Sequence, residues 1–185
     1  FLDIKCPVGG LKPKALVLVV TIRALRHHGG AKKDEYNTPN MNYIKKGFEN
    51  VAKHIENCIK FGLTPVAALN SFYSDSDEEV QYVISECAKL GVKAVLSKGW
   101  AEGGEGTKDL AQAVVDVIES GVNNYKQLYD WSLSIEEKIK IIATEVYGAD
   151  DVTYSAKAKS QLKEFIKLGC DGLPICMAKT QKSFS

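Results

Sequence analysis

The sequence is poor in the signals that mark several classes of protein. It carries 24 lysines and arginines against 23 aspartates and glutamates, a net charge of only +1. Balanced charge gives no long-range attraction to a polyanion, so we expect neither a nucleic acid nor a membrane surface as partner. The longest apolar run, residues 15–21, is far too short to span a bilayer. The remaining composition, 45% hydrophobic and 25% charged, is that of an ordinary globular domain.

Short catalytic and metal-binding motifs are equally scarce. The five cysteines are odd in number and widely separated, without the C-x-x-C or cysteine–histidine spacing of metal sites. We therefore expect free thiols in a reducing compartment, the cytoplasm or an organelle, and no bound metal. No Gly-Lys dipeptide occurs, which excludes a Walker A loop within these residues. Neither G-x-S-x-G nor H-E-x-x-H is present.

Strand and helix patterns alternate along the first two thirds of the chain. The run "ALVLVVTI", residues 15–22, is rich in β-branched residues, which is typical of a strand buried on both faces. Apolar runs at 64–70 and 92–97 predict two more strands. Asn40 is the predicted N-cap and Gly62 the predicted end of the first long helix, and Ser76-x-x-Glu79 spells a capping box for the next. Helical periodicity follows each strand, at 41–62, 76–91 and 108–119. This order predicts an α/β fold of the P-loop or Rossmann-like kind: a parallel sheet of three to four or more strands, with helices on both faces.

The pattern also predicts how the chain divides. Residues 1–122 are expected to form the sheet domain, and residues 123–185 a helical extension that returns to a further strand. Capping residues at Ser134 and Ser155 begin two helices there, and the apolar run "LPICMA", residues 173–178, is the candidate fourth strand. Because "FLDIKCPVGG" reads as the middle of a fold, we expect a portion of a longer chain.

Aromatic side chains follow two of the predicted strands. Ligands of parallel α/β sheets bind at the carboxyl ends of the strands, where Phe72 and Trp100 lie. The two rings are candidates to hold a flat ligand by stacking, with Leu96 as an apolar floor. The alternative is that each ring fills the core, as most aromatics do. Polar candidates for the same rim are Asn70, Asp75, Glu102, Lys179, Thr180 and Gln181.

The polar, glycine-containing segment 23–40 after the first strand is predicted to be a loop, and its charged residues are candidates for anion binding. Arg23, with His27 and His28, is suited to a carboxylate or phosphate, the alternative being solvated loop charge. The glycine-rich stretch at 97–106 resembles a phosphate cradle, but it lacks the lysine and carries two glutamates where phosphate would approach. The acids at 75–79 are more simply first-turn residues that complement a helix dipole than a metal site.

Five long stretches closely resemble one family. They are "VTIRALRHHGG", "GFENVAKHIENCIKFGLTPVAALNSFYSDSDEE", "WAEGGEG", "SIEEKIKIIATEVYGAD" and "LPICMAKTQKSFS". Together they are similar to formate–tetrahydrofolate ligase, also called formyltetrahydrofolate synthetase. The likeness runs along the whole chain in one order without large gaps, which is far more specific than any single short motif.

The resemblance implies an ATP-dependent ligase that activates formate to formyl phosphate and then formylates N10 of tetrahydrofolate. Formate, ATP, accompanied by Mg²⁺, and tetrahydrofolate would then be its small-molecule partners, and the full-length protein a homo-oligomer. The aromatic of an N-x-F strand exit and the tryptophan of a WA-x-GG loop hold the ligand ring in this family. These positions correspond to Phe72 and Trp100, with Leu96 four residues before the tryptophan.

The resemblance leaves some roles open. The lysine-bearing P-loop of the family is expected upstream, so the catalytic residues are unknown and the 185-residue chain alone is expected to be inactive. "CPVGG" stands where the family more usually has an arginine, so no role carries over to Pro7, and "RHHGG" replaces a lysine–methionine form. Alternative functions are a catalytically inactive folate- or nucleotide-binding protein derived from the ligase, and a structural remnant that supports oligomerisation. Whether a pteridine or an adenine occupies the pocket also stays open.

Overall fold

The computed structural model describes residues 1–177 and divides the chain into two compact units. The first, here called the sheet unit, is Pro13–Tyr125. The second, here called the helical unit, combines Phe1–Lys12 with the described part of Lys126–Ser185.

The sheet unit contains three parallel strands in the order β1-β2-β3. Their bounds are β1 Val17–Val20, β2 Val66–Asn70 and β3 Ala94–Ser97. In chain order the helices of both units are α1 Lys5–Val8, α2 Ile22–His28, α3 Met41–Lys60, α4 Asp77–Lys89, α5 Gly99–Glu102, α6 Lys108–Ser120, α7 Ile135–Ile141 and α8 Ala156–Lys167. Short 3-10 turns lie at Lys33–Glu35 and Glu105–Thr107. The alternation confirms the predicted α/β class with a parallel sheet.

The main core lies between the sheet and the pair α3 and α4. Alternate strand residues such as Val20, Leu69 and Leu96 point to this side, because successive side chains of a strand face opposite ways. Helix α3 supplies its apolar face at helical spacing, with Ile44, Phe48, Val51 and Ile55 all buried. The strand residues between these, such as buried Val66 and Ala68, point to the opposite face of the sheet. Helix α6 covers that face and packs on β2 and β3 through Ala113.

Helix α2 occupies part of the segment predicted as a loop. Residues 23–40 read as polar and irregular, yet the Thr21 hydroxyl accepts a hydrogen bond from the Ala24 N–H at 3.1 Å and starts a helix. Glycines let α2 approach α3 closely, because a Cβ at Gly47 would collide with the backbone carbonyl of Leu25. The loop prediction was wrong here because the close approach of α2 to α3 stabilises a short helix that has no strong periodic signal.

The helical unit is organised around capped helices. Ser134 and Glu137 form a reciprocal capping box at the start of α7, and Ser155 caps α8, as their spacing predicts. Helix α7 continues into one π-helical turn, Ile142–Val146.

The predicted fourth strand does not form over residues 173–177, which are irregular. Side chains bind the backbone groups that a strand would use for its ladder. Lys138 donates hydrogen bonds to the carbonyl oxygens of Asp171 at 2.5 Å and Leu173 at 3.1 Å, and the Tyr129 hydroxyl accepts one from the Ile175 N–H at 3.0 Å. Residues 173–177 therefore have the composition of a strand, but the side chains of Lys138 and Tyr129 bind their backbone groups in place of a neighbouring strand.

Candidate functional site

The carboxyl ends of the three strands lie together at one edge of the sheet. The register pairs Val20 with Leu69 and Asn70 with Ser97, so the segments after each strand leave from the same side. This edge is where open parallel sheets bind ligands. The segments that leave it are α2, the loop after Asn70, and the glycine-rich turn that contains α5.

Phe72 and Trp100 meet at this edge as a stacked pair. Their ring centroids are 5.7 Å apart and their planes are tilted by 22°. The Trp100 indole Nε1–H donates a hydrogen bond to the Ser71 carbonyl oxygen at 2.5 Å, which ties α5 to the loop after β2. Trp100 is 57% exposed, so its outer face is open to solvent while Phe72 is half-buried.

The stacked pair has no slot for a third ring in this conformation. A ring held between two others needs planes about 7 Å apart, two van der Waals contacts of about 3.5 Å. The plane spacing cannot exceed the 5.7 Å between centroids. Two modes of ring binding are compatible with this geometry: stacking on the exposed Trp100 face, or insertion after the Trp100–Ser71 hydrogen bond opens. Leu96, the predicted floor, is half-buried in β3 and packs against the main core.

Asp75 closes the loop that carries Phe72. Its carboxylate accepts a hydrogen bond from the Phe72 N–H at 2.8 Å, and its own N–H donates to the Phe72 carbonyl oxygen at 3.0 Å. Burial raises the pKa of Asp75, although the Phe72 bond and the Arg26 guanidinium act in the opposite direction. Asp75, predicted as a rim residue, therefore forms its hydrogen bonds within the loop itself.

A buried ion pair that sequence reasoning missed lies under this loop. Arg26 and Glu79 are both fully buried, and the guanidinium contacts both carboxylate oxygens, at 3.0 Å through Nε and 2.5 Å through a terminal nitrogen. The same guanidinium donates to the carbonyl oxygens of Tyr36 at 2.7 Å and Ser74 at 3.1 Å. The pair therefore joins α2 and α4 to the loop that carries Phe72.

Glu79 receives further bonds from the backbone. The Asn40 N–H donates to it at 2.9 Å, and Ser76 donates from its N–H at 3.2 Å and its hydroxyl at 3.0 Å. Burial acts to raise the pKa of Glu79, but these bonds and the Arg26 guanidinium hold it below its ordinary value. The sequence shows the capping box between Ser76 and Glu79, but it gives no sign that Arg26, 53 residues away, pairs with Glu79.

Arg23 lies on the exposed side of α2, near Phe72. Its guanidinium carbon sits 5.6 Å from the centre of the Tyr36 ring, within cation–π range. A small cavity of about 130 Å³ is lined by Arg23, Asn37, Phe72, Tyr73 and Ser74. The structure thus places the predicted anion contact beside one of the two predicted ring-binding residues.

The glycine-rich stretch folds onto itself. The Lys98 N–H donates to the Gly106 carbonyl oxygen at 3.0 Å, and a Cβ on Gly106 would lie 2.7 Å from the Lys98 carbonyl oxygen. Gly103 adopts a positive φ of 58°, in the region that favours glycine. These glycines allow a tight turn that presents Trp100. The turn's acids are exposed and lie beside lysines: Glu102 is 3.8 Å from Lys98 and Glu105 is 2.6 Å from Lys108.

Other predicted residues are placed as follows. Asn70 is half-buried at the end of β2. Lys179, Thr180 and Gln181 lie outside the described residues. Within residues 1–177 no cluster of three histidine, cysteine or acidic side chains is arranged to hold a metal ion.

A second cavity, of about 310 Å³, lies between β1, α2 and α3 and contains His28 and His54. Burial, assisted by the neighbouring His27, lowers the pKa of His28. Burial and the proximity of His28 likewise lower the pKa of His54. His54 is half-buried.

The fold and this edge define an α/β protein with a parallel sheet and an aromatic pair where such sheets bind ligands. None of the helices described within residues 1–177 combines the length and hydropathy needed to cross a membrane. The sequence model of the formate–tetrahydrofolate ligase family matches residues 1–185. The chain therefore belongs to the formate–tetrahydrofolate ligase family, whose members are ligases that use ATP and tetrahydrofolate.

Proposed function

We propose that the chain supplies the ring-binding part of an ATP-dependent ligase that activates formate to formyl phosphate and formylates N10 of tetrahydrofolate. The observation that carries this proposal is the pairing of Phe72 with Trp100 at the carboxyl edge of the sheet. A pteridine or adenine ring presents the flat π-face that such a pair can stack on. We call Phe72 and Trp100 the clamp.

In this proposal the polar residues around the clamp have two tasks. Asp75 holds the Phe72 backbone, and the Arg26–Glu79 pair holds the whole loop through the Ser74 carbonyl oxygen. Asn70, Glu102, Lys179, Thr180 and Gln181 are proposed to contact the ligand's polar edge, and Leu96 to pack beneath it. Mg²⁺ is expected to accompany ATP in this family, although the described residues contain no cluster of three histidine, cysteine or acidic side chains arranged to hold a metal ion.

Turnover is a separate matter from ring binding. Phosphoryl transfer relies on positioned positive charge around the γ-phosphate, and the 185 residues contain no Gly-Lys dipeptide of a Walker A loop. We therefore propose that the purified 185-residue chain binds rings without making formyl phosphate. ATP-dependent formation of 10-formyltetrahydrofolate by this polypeptide would contradict that.

The five cysteines are free, which supports a reducing compartment such as the cytoplasm.

The clamp is tested by tryptophan fluorescence. The chain has two tryptophans, so Trp131→Phe leaves Trp100 as the sole indole reporter. Folate or ADP is expected to quench Trp100 emission saturably in this background. Phe72→Ala should raise the dissociation constant several-fold, because one ring stack is of order 1 kcal/mol, while the unfolding midpoint changes little. A loss of several kcal/mol of stability on Phe72→Ala, as for emptying a core site, would instead make Phe72 a core residue.

A further inference from the structure

The cavity beside Phe72 is lined by polar groups as well as by the ring. Arg23, Asn37 and Ser74 line a space of about 130 Å³, and their side chains carry a guanidinium, an amide and a hydroxyl, the last of which also donates a long hydrogen bond of 3.5 Å to Asp75. Each of these can donate a hydrogen bond to an oxygen atom. A ligand whose ring stacks on Phe72 therefore has hydrogen-bond donors within reach on the α2 side.

The guanidinium of Arg23 is positioned by the aromatic ring of Tyr36. The guanidinium lies over the Tyr36 ring at 5.6 Å, and the Tyr36 hydroxyl is 2.6 Å from His27 Nδ1. The Tyr36 and His27 rings also meet edge to face, with centroids 5.5 Å apart. Stacking uses the flat face of a guanidinium and leaves its N–H edges free to bind an oxyanion. The Arg23 side chain is thus oriented without using the groups that bind anions.

The charges around the clamp are asymmetric. Within residues 1–177, Arg23 forms no ion pair with a carboxylate, whereas Arg26, one turn further along α2, is fully engaged by Glu79. On the Trp100 side the exposed charges balance each other, because Glu102 lies 3.8 Å from Lys98 and Glu105 lies 2.6 Å from Lys108. An anionic group therefore gains more at Arg23 than on the side of α5.

We infer that Arg23, Asn37 and Ser74 form an oxyanion subsite for the same ligand that the clamp holds. The ligand class is a flat heteroaromatic ring joined to a carboxylate or a phosphate, with the ring held by the clamp and the anion at Arg23. This inference rests on the proposed clamp. It adds an orientation, since the charged end of the ligand points toward α2.

The test compares charged and neutral ligands that share a ring. Folate is compared with pterin, and ADP with adenosine, each titrated against Trp100 emission in the Trp131→Phe background. Arg23→Gln removes the guanidinium, and Lys93→Gln is the matched control. Lys93 precedes β3 at the opposite end of the sheet and pairs there with Asp116 at 3.1 Å, so its loss changes the net charge equally.

Arg23→Gln is expected to weaken folate, ADP or both about tenfold, the equivalent of one charge-assisted hydrogen bond, and to leave pterin and adenosine within about twofold. Lys93→Gln should leave all four ligands within about twofold. Loss confined to folate identifies a carboxylate subsite, and loss confined to ADP a phosphate subsite. The binding lost on Arg23→Gln should also be the part that weakens with added salt.

Two results would overturn the inference while leaving the clamp intact. One is an Arg23→Gln effect on the charged ligands no larger than that of Lys93→Gln, with quenching otherwise preserved. The other is an equal loss for the charged and the neutral ligand of each pair, which would make Arg23 a support for the ring and not an anion contact. Absence of saturable quenching by all four ligands would overturn both the subsite and the clamp.

Discussion

Among residues 1–177, each unit buries one long cationic side chain, and the two cations are satisfied in different ways. In the sheet unit Arg26 is paired with a carboxylate, Glu79, and also binds two carbonyl oxygens. In the helical unit Lys138 is fully buried and donates to the carbonyl oxygens of Asp171 and Leu173. No carboxylate among residues 1–177 forms an ion pair with Lys138.

The difference shows how the two units fix irregular segments. The Arg26–Glu79 pair draws bonds from α2, α3, α4 and the Phe72 loop, so the loop that bears the clamp is tied to the main core. Lys138 instead holds one segment, residues 171–173, that has no strand to join. The first arrangement is a network in which the loss of one member leaves a buried charge, whereas the second is a local tie.

The largest expected effect is from Arg26→Met. Removing one partner of a buried ion pair leaves the Glu79 charge without its main counterion, which typically costs about 3–5 kcal/mol. Equilibrium denaturation followed by circular dichroism measures the loss in the free energy of unfolding. The double variant Arg26→Met/Glu79→Met is the control and should recover part of that loss. A single-variant loss below about 1 kcal/mol would show that Arg26 is not the organising partner.

Lys138→Met should cost less than Arg26→Met. It leaves two carbonyl oxygens without a donor but no buried charge, for which we expect about 1–3 kcal/mol. Hydrogen exchange at the Ile175 N–H, which is bonded to the Tyr129 hydroxyl at 3.0 Å, reports on the segment directly. Exchange there should accelerate in Lys138→Met. If Lys138→Met lowered the free energy of unfolding as much as Arg26→Met does, the proposed difference between the Arg26–Glu79 network and the local tie of Lys138 would be wrong.

Two capping boxes provide a matched comparison of the units. Ser134→Ala removes a cap whose glutamate, Glu137, is exposed, and should cost about 1 kcal/mol, as capping residues usually do. Ser76→Ala removes a cap and also a hydrogen bond to buried Glu79, so it should cost roughly 1 kcal/mol more. Thermal or denaturant unfolding of both variants measures the difference. Equal costs would mean that Ser76 contributes only as a cap.

The smallest expected effect is a dependence of stability on pH near neutrality. The chain's three histidines all lie in the sheet unit, and the pKa values of His28 and His54 are lowered in the fold. The unfolded chain therefore binds protons more readily, so stability is fully present above the unfolded pKa of about 6.5 and is lost as pH falls below it. Replacing His28 and His54 by glutamine should flatten this dependence between pH 5.5 and 7.5. An unchanged slope in that variant would contradict the assignment.

Much of the sheet unit could be predicted from the sequence, because its signals are local. Hydrophobic periodicity gave the order of strands and helices, and Asn40, Ser76 and Gly62 mark the helix ends where the structure has them. The location of Phe72 and Trp100 on neighbouring strand exits followed from the parallel order alone. Their mutual stacking did not follow from it, since that depends on side-chain geometry.

What the sequence could not predict depends on contacts between distant residues. Arg26 looks like one more charge in "RALRHH", and only the fold brings it to Glu79, 53 residues away. Residues 173–177 have the apolar composition of a strand, but Lys138 and Tyr129 bind their backbone groups. In both cases tertiary contacts outweighed local propensity.

The central claim is that Phe72 and Trp100 form a ring-binding clamp that is stacked on itself when free. The most direct measurement is the NMR signal of the Trp100 indole Nε1–H in ¹⁵N-labelled Trp131→Phe protein, recorded with and without folate or ADP. The account predicts a hydrogen-bonded, exchange-protected N–H in the free protein, from its bond to the Ser71 carbonyl oxygen at 2.5 Å. Saturating ligand should shift the indole resonances by the ring current of the stacked ligand. A ligand that binds the protein at saturation and leaves the Trp100 resonances unmoved would contradict the account.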